Sequence, residues 1–235
     1  MPNHQQRQEE ARLFKWKKIK YDIKIKDDGL CEIEVTANPV STTRRVKEIE
    51  HFLIARHPAG KGELARLKII HKGGEEVRED PEIEKENDKV YIYVILKKPL
   101  RRDQDTTYMF TEKSKFKLFF MSLEEFNRSR SEKVDEYFEY FGFPTVRTTD
   151  SLEIDIQLPE GFLNSVKKSV KNPVFCKATI GDIRPSPSHP REIEKITTGF
   201  KVDIENSKIT TRVENPTYSV NYAVCWYLPK QWPLK

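Results

Sequence analysis

The chain has 235 residues, which is enough for two domains of about 100 to 120 residues, each with a core of its own. Hydrophobic residues make up 37% of the chain, and the 13 Phe, 9 Tyr and 3 Trp give it bulk to bury, which excludes wholesale disorder. The net charge of +5 is divided among 42 basic and 37 acidic residues, so the surface is mixed and lacks the single-sign field of a dedicated nucleic-acid binder.

Residues 1–12 are polar and aperiodic and are predicted to form a flexible N-terminal tail. They contain no apolar core of a secretory signal, and no segment of the sequence is apolar for long enough to span a bilayer, so we expect a cytoplasmic protein without membrane contact. Cys31, Cys176 and Cys225 are widely spaced, which suggests neither a disulfide framework nor a zinc knuckle and fits a reducing compartment.

The first ordered segment predicts a β-hairpin. Apolar and charged residues alternate over Ile19–Ile25, residues 27–29 (Asp-Asp-Gly) form a turn, and the alternation resumes over Cys31–Val35. We expect the second strand to stop at Asn38 and Pro39, because proline removes a ladder donor and asparagine favours a turn.

Further strands are predicted across the rest of the first half. Residues 44–56 fit a helix or a strand, with a preference for the strand, whereas residues 90–96 are apolar on both faces and indicate an interior strand. The acidic stretch 75–88 reads as a solvated loop, since it lacks the spacing of a calcium-binding loop. Apolar residues over 108–120 complete a domain predicted to cover residues 13–122.

An amphipathic helix is predicted over residues 129–141, within a helical linker of residues 123–148. Four large apolar side chains take the i, i+3, i+4 and i+7 positions of one face, namely Val134, Tyr137, Phe138 and Phe141. Ser129 and Glu132 have the spacing of a capping box, and Gly142 with Pro144 supplies a stop.

The second half, residues 149–235, is predicted to form another β domain. It opens with the alternation Leu152–Leu158, continues with a short helix near residues 162–170, and ends with strands over 200–204, 209–213 and 218–228.

Two stretches of the chain match at a constant offset of about 110 residues. Tyr108 falls on Tyr218, Phe116 falls on Trp226, and the apolar residues of 90–94 fall on those of 200–204. The sequence therefore predicts a mainly β fold of two tandem antiparallel β-sandwich domains, immunoglobulin-like in architecture, with the amphipathic helix between them.

Motifs for catalysis or cofactor binding are not apparent. The sequence has no nucleophile elbow and no complete phosphate-binding loop, and His51, His57 and His71 lack a diagnostic metal-ligand spacing. Cys225 has the opposite alternation phase to Trp226 in the final strand, which favours a structural thiol. We therefore expect no catalytic residue, cofactor or metal, and we favour a non-enzymatic protein.

The best candidate patch is a basic and aromatic strand that contains Trp16, Lys18, Lys20 and Lys24. Such a mixture can track phosphates and stack on bases. The competing interpretation, which we prefer, places these lysines on the outer face of an edge strand, where they discourage edge-to-edge pairing.

Arg101 and Arg102 form a second basic cluster, with the same two interpretations. Trp232 lies beyond the last predicted strand and is either a clasp on its own domain or an anchor for a partner. Together with the basic strand, these residues make up the predicted partner-binding set.

The expected function is that of a non-catalytic binding or adaptor module for protein–protein interaction within a larger cytosolic assembly. One alternative is nucleic-acid binding through the basic and aromatic strand. A second alternative is an enzyme whose site is assembled from scattered Asp, Glu and His residues. The sequence leaves the identity of the partner and the oligomeric state open.

Overall fold

A computed structural model describes residues 13–43, 45–54, 64–74, 76–78, 80–86, 89–114, 138–167, 173–179 and 194–227. These ranges contain the strands β1 (Phe14–Ile25), β2 (Cys31–Ser41), β3 (Val46–Ile54), β4 (Leu64–Gly74), β5 (Glu82–Glu86), β6 (Lys89–Leu100), β7 (Thr106–Ser114), β8 (Phe138–Pro144), β9 (Ser151–Gln157), β10 (Val174–Thr179), β11 (Glu194–Lys195), β12 (Phe200–Asp203), β13 (Lys208–Glu214) and β14 (Val220–Tyr227). They also contain one short helix, α1 (Phe162–Lys167).

The strands form three sheets, so the protein is mainly β, as the alternating patterns predict. One sheet has seven strands in the order β12-β13-β9-β1-β2-β7-β4, one has four in the order β11-β10-β14-β8, and one has three in the order β3-β6-β5. Neighbouring strands of the seven-stranded sheet are antiparallel except β1 and β9, which are parallel.

The seven-stranded sheet takes strands from both predicted halves of the chain. Its β1–β9 junction joins them directly, with Ile19 opposite Leu152 and Ile23 opposite Ile156. The structure therefore does not confirm two separate immunoglobulin-like sandwiches in tandem. The boundaries at residues 122 and 149 stay a prediction.

The predicted first hairpin is confirmed. Gly29 has a φ of 79° in the turn, a left-handed conformation that glycine adopts without steric cost. The second strand does not stop at Asn38, because β2 continues to Ser41. Pro39 is tolerated there because it faces β1 beside a register shift between Trp16 and Lys18, where the ladder is already irregular.

A common core lies between the three sheets. Fully buried members come from each of them, including Val35 and Ile154 of the seven-stranded sheet, Ile92 of the three-stranded sheet and Trp226 of the four-stranded sheet. The Trp226 indole nitrogen donates a 3.1 Å hydrogen bond to the buried Glu139 carboxylate, so the polar atom of this core side chain has a partner.

The predicted helix over 129–141 is wrong at its carboxyl end. Residues 138–144 form β8, which pairs with β14 along its whole length. Phe141 and Phe143 pack on the common core with ring centroids 4.7 Å apart, and this two-residue spacing belongs to a strand. Residues 129–137 lie outside the described ranges.

The two halves of the predicted repeat occupy different places in the fold. Tyr108 is fully buried in β7, whereas Tyr218 lies in a turn and is 64% exposed. Strand β6 is the centre of the three-stranded sheet, whereas β12 lies at one end of the seven-stranded sheet. The offset of 110 therefore reflects similar strand composition and does not join equivalent positions.

Candidate partner-binding surface

The lysines of β1 are paired with carboxylates, which changes the interpretation of the basic strand. Lys18 Nζ lies 2.7 Å from Glu153, and Lys20 Nζ lies 2.7 Å from Asp22 and 3.3 Å from Asp155. The parallel neighbour β9 supplies two of these carboxylates, a pairing that the local pattern of β1 does not reveal. Desolvation lowers the pKa of Lys20, but the hydrogen bonds and the charge attraction of Asp22 and Asp155 together exceed it, so the pKa is raised.

The outer face around β1 is electrically balanced. Over the described parts of β13, β9, β1, β2 and β7, with the adjoining Asp105 and Asp150, its cations are Lys15, Lys17, Lys18, Lys20, Lys24, Lys113, Lys208 and Arg212, and its carboxylates are Asp22, Glu32, Glu34, Asp105, Asp150, Glu153, Asp155 and Glu214. The two sets are equal in number, so this face does not present the positive field that phosphate binding needs.

Trp16 is buried, with 6% of its surface exposed, and its ring packs edge-on against Phe14 at 4.7 Å. It therefore does not offer an exposed face on which a base could stack. Lys24 is exposed but lies seven residues along β1 from Lys17, a separation of roughly 23 Å. Lys18, Lys20 and Lys24 thus lie on the outer face of β1, whereas Trp16 is buried, so the basic and aromatic residues do not share one exposed surface.

A second surface gathers at the end of the seven-stranded sheet where β1 begins. We call it the loop-end surface and define it by its exposed side chains, namely Leu13, Lys17, Arg45, Arg101, Arg102, Val146 and Tyr218. Backbone hydrogen bonds connect the segments that carry them: Thr42 N donates to Leu13 O, Trp16 N to Thr148 O, and Asn215 N to Asp150 O.

The turn that carries Arg101 and Arg102 is closed by its own side chains and by β2. The Gln104 side-chain oxygen accepts a 2.8 Å hydrogen bond from Arg101 N, while Gln104 N donates to Arg101 O at 3.0 Å. Ser41 of β2 holds this turn through two backbone hydrogen bonds. Its N donates to Gln104 O, and its O accepts from Asp103 N. The two arginines therefore project from a fixed backbone.

The turn that carries Tyr218 is held by Thr145, a buried residue that the sequence does not single out. Its hydroxyl lies 2.6 Å from both Thr217 O and Val220 O and accepts from Val220 N at 3.2 Å. Its backbone oxygen accepts a 2.9 Å bond from Ser219 N. Ser219 has a φ of 61°, and these bonds maintain that left-handed conformation.

The loop-end surface retains positive charge. Lys17 pairs with Asp105 at 3.2 Å and Arg102 approaches Asp103 at 3.8 Å, and all of these side chains are substantially exposed. Within the described ranges, Arg45 and Arg101 have no carboxylate in ion-pair contact. The pairing of Val46 with Leu100 places these two arginines at neighbouring ends of β3 and β6, so both add positive charge to the loop-end surface.

Beneath this surface, Arg147 points inward and links the loop to the three-stranded sheet. Its guanidinium lies 2.8 Å from the Glu50 carboxylate of β3 and 4.6 Å from the Phe14 ring centre. A cavity of about 40 Å³, lined by Trp16, Tyr21 and Phe143 among others, adjoins this group. A cavity of this volume accommodates water molecules. We interpret Arg147 and its contacts with Glu50 and Phe14 as structural support for the loop.

Of the predicted partner-binding residues, the structure thus brings only Arg101 and Arg102 to the loop-end surface. Lys18 and Lys20 lie on the balanced face, Lys24 lies at the opposite end of β1, and Trp232 lies outside the described residues. The sequence analysis missed the exposure of Tyr218, although the preceding Asn215-Pro216 pair signals a turn there.

The described ranges hold no group of three or more His, Cys, Asp or Glu side chains that could bind a metal ion. His51 belongs to β3 and His71 to β4, which are strands of different sheets, and His57 lies outside the described residues. In the same ranges, no helix has the length and apolar character needed to cross a bilayer.

Comparison with known proteins places the chain in no family. No family model matches it, and no curated protein gives a significant match. Among solved structures, an M1 zinc metallopeptidase from Deinococcus radiodurans is similar at 10% identity and a TM-score of 0.39, over 91% of this chain and 42% of that one. A two-domain M1 zinc metallopeptidase mutant bound to L-arginine gives the same values. The chain thus spans less than half of these proteins, and similarity at this level assigns neither a fold family nor an activity.

Proposed function

We propose that this chain is a binding or adaptor module within a larger cytosolic assembly, and that its loop-end surface holds an acidic segment of a protein partner. The supporting observation is the presence of Arg45, Arg101 and Tyr218 as exposed side chains on segments that adjoin the end of the seven-stranded sheet where β1 begins. Arginine and tyrosine dominate the energetics of protein interfaces, because each combines a large contact area with directed hydrogen bonds.

The charge of the surface favours carboxylates as the recognised groups. A guanidinium presents paired N–H donors that match a carboxylate, and Arg45 and Arg101 offer such donors without a competing carboxylate among the described residues. An acidic partner would therefore gain contacts without breaking an existing ion pair at these two positions.

The dimensions of the surface favour an extended segment. Its exposed apolar side chains are Leu13, Val146 and Tyr218, which are 39%, 40% and 64% exposed. Tyr218 follows β13 and Arg101 precedes β7, and these two strands are four strand spacings apart in the seven-stranded sheet, or about 19 Å. About six extended residues cover that distance, so we expect a short acidic stretch with an apolar residue near one end.

A direct test measures fluorescence anisotropy of a labelled peptide on the full chain at low salt. The probe is a stretch of six Asp and Glu residues followed by Leu and Phe, and its control carries Lys in place of each acidic residue. We expect saturable binding of the acidic peptide that weakens with added salt and no binding of the control. Equal binding of the two peptides, or none of the acidic one at low salt, contradicts the proposal.

The same assay examines nucleic acid as the alternative partner. Single-stranded DNA and RNA oligonucleotides replace the peptide, and low ionic strength gives phosphate contacts their greatest strength. The burial of Trp16 and the pairing of Lys18 and Lys20 weigh against binding through the basic and aromatic strand. Tight oligonucleotide binding together with no binding of the acidic peptide would replace our proposal with this alternative.

A further inference from the structure

Two cysteine thiols lie side by side in the four-stranded sheet, away from the loop-end surface. Cys176 is in β10 and Cys225 is in the adjacent antiparallel strand β14, and their sulfur atoms are 3.7 Å apart. Both are free thiols, and both are buried. The distance corresponds to van der Waals contact between two sulfur atoms.

The register explains how the two thiols meet. Cys176 faces Ala223 and Cys225 faces Val174, so the cysteines are diagonal neighbours on the same face of the sheet. A disulfide bond of about 2.05 Å requires the sulfur atoms to approach by about 1.6 Å, which side-chain rotation and a small shift of the strands can supply. A bond at a diagonal position is strained, and strained disulfides are readily reduced.

The surroundings of the pair are separate from the common core. Cys176, Cys225 and Ala223 form a small cluster of their own, with Tyr140 and Val174 partly buried against it. Beyond β10 in this sheet, the described residues include only the two-residue strand β11, in which both residues are exposed. A strand next to such a margin opens at a lower free energy than a central strand, so a small oxidant can reach Cys176 in β10 without global unfolding, and the Cys225 sulfur is already in contact with Cys176.

We propose that Cys176 and Cys225 are a redox modification site, at which a peroxide converts the two thiols into a reversible disulfide. In the first step the Cys176 thiolate attacks one oxygen of hydrogen peroxide and the O–O bond breaks, so that Cys176 becomes a sulfenic acid. The hydroxide that leaves takes up the proton that the Cys176 thiol released and becomes water. In the second step the Cys225 sulfur attacks the sulfenic sulfur and releases a second water molecule. Two thiols and one hydrogen peroxide thus give one disulfide and two waters.

The hydrogen bond between the thiols supports this division of roles. The contact with Cys225 lowers the pKa of Cys176 because it stabilises the Cys176 thiolate, whereas the pKa of Cys225 is raised by the same contact and by burial. This direction favours Cys176 as the attacking sulfur and Cys225 as the resolving one, and the contact between the two sulfur atoms serves the bridge in either order. In a reducing compartment the bond would form only transiently.

The test treats the full chain with hydrogen peroxide, alkylates the remaining thiols under denaturing conditions and maps the peptides by mass spectrometry. We expect two of the three thiols to be lost, a peptide linked through Cys176 and Cys225, and full recovery with dithiothreitol. Cys31, in a strand of the seven-stranded sheet, provides the matched control, and Cys31→Ser should leave the bridge intact.

The variants Cys176→Ser and Cys225→Ser should each abolish the bridge. Cys176→Ala and Cys225→Ala repeat the test if a serine variant fails to fold, which circular dichroism detects. A bridge that includes Cys31, thiol loss that persists in the Cys176 variants, or oxidation of the wild-type chain that yields no disulfide would each overturn the inference. The result is independent of the proposed partner, because the assay contains no peptide.

Discussion

The Arg147 guanidinium and the Glu50 carboxylate form a 2.8 Å ion pair in which the two side chains are only 6% and 3% exposed. The pair joins the loop after β8 to β3, so it connects the loop-end surface with the three-stranded sheet. A buried charge needs a paired opposite charge, because the loss of its partner leaves it with neither that charge nor water to stabilise it.

Removal of either charge should therefore destabilise the protein strongly. We expect Glu50→Leu or Arg147→Met alone to lower the free energy of unfolding by about 3–5 kcal/mol, as measured by urea denaturation. The double variant Glu50→Leu with Arg147→Met should recover most of this loss, because it leaves no buried charge. Additive losses in the double variant would show that the pair is not the source of the effect.

Thr145 should hold the turn of Tyr218 through its hydroxyl. Thr145→Val removes the donor and acceptor used by Val220 and Thr217, and we expect a loss of about 1–3 kcal/mol in unfolding free energy. Thr145→Ser retains the hydroxyl and should lose much less. Thr148→Val, at an exposed neighbouring position, is the control. Equal losses for the valine and serine variants of Thr145 would contradict this role.

The carboxylates of β9 should mask the lysines of β1. Glu153→Gln together with Asp155→Asn leaves Lys18 and Lys20 without these partners, and we expect oligonucleotide affinity at low salt to increase by an order of magnitude or so. The control is Glu160→Gln with Glu205→Gln, two exposed carboxylates outside this face. An unchanged affinity would show that these ion pairs do not determine how strongly this face binds oligonucleotides.

Burial raises the pKa of Tyr21 well above its usual range, so its phenol resists ionisation in the folded protein. The unfolded chain loses this proton near pH 10, so the stabilisation is complete below that pH and declines as pH rises towards the folded pKa. Tyr21→Phe should reduce the slope of this decline by up to about 1.4 kcal/mol per pH unit, measured by denaturant unfolding at alkaline pH. Tyr218→Phe, at a phenol that is 64% exposed, is the control; an equal change of slope in both variants would exclude burial as the cause.

The alternation of apolar and polar residues predicted the strands that bury only one of their two faces. The residues of β1, β2 and β9 alternate between core and outer face, so their periodicity is visible in the sequence. Strand β5 was missed because it is mostly charged and Ile83 is exposed, so its residues carry no burial signal. Residues 138–141 fit a helical face, and only their pairing with β14 makes them a strand.

The candidate site was less predictable because it depends on which strands become neighbours. Lys18 and Lys20 look like free cations in the sequence, and their neutralisation by Glu153 and Asp155 follows from a parallel pairing between residues more than 130 positions apart. The proximity of Arg45 and Arg101 likewise depends on the pairing of β3 with β6. Such contacts are set by topology, which local patterns do not encode.

A matched pair of charge reversals tests the central claim most directly. Arg101→Glu changes the loop-end surface, and Lys24→Glu makes the same charge change at the opposite end of β1. In the anisotropy assay with the acidic peptide, we predict at least about tenfold weaker binding for Arg101→Glu, because an attraction becomes a repulsion, and less than about twofold for Lys24→Glu. Equal effects of the two variants, or a larger effect of Lys24→Glu, would contradict the account.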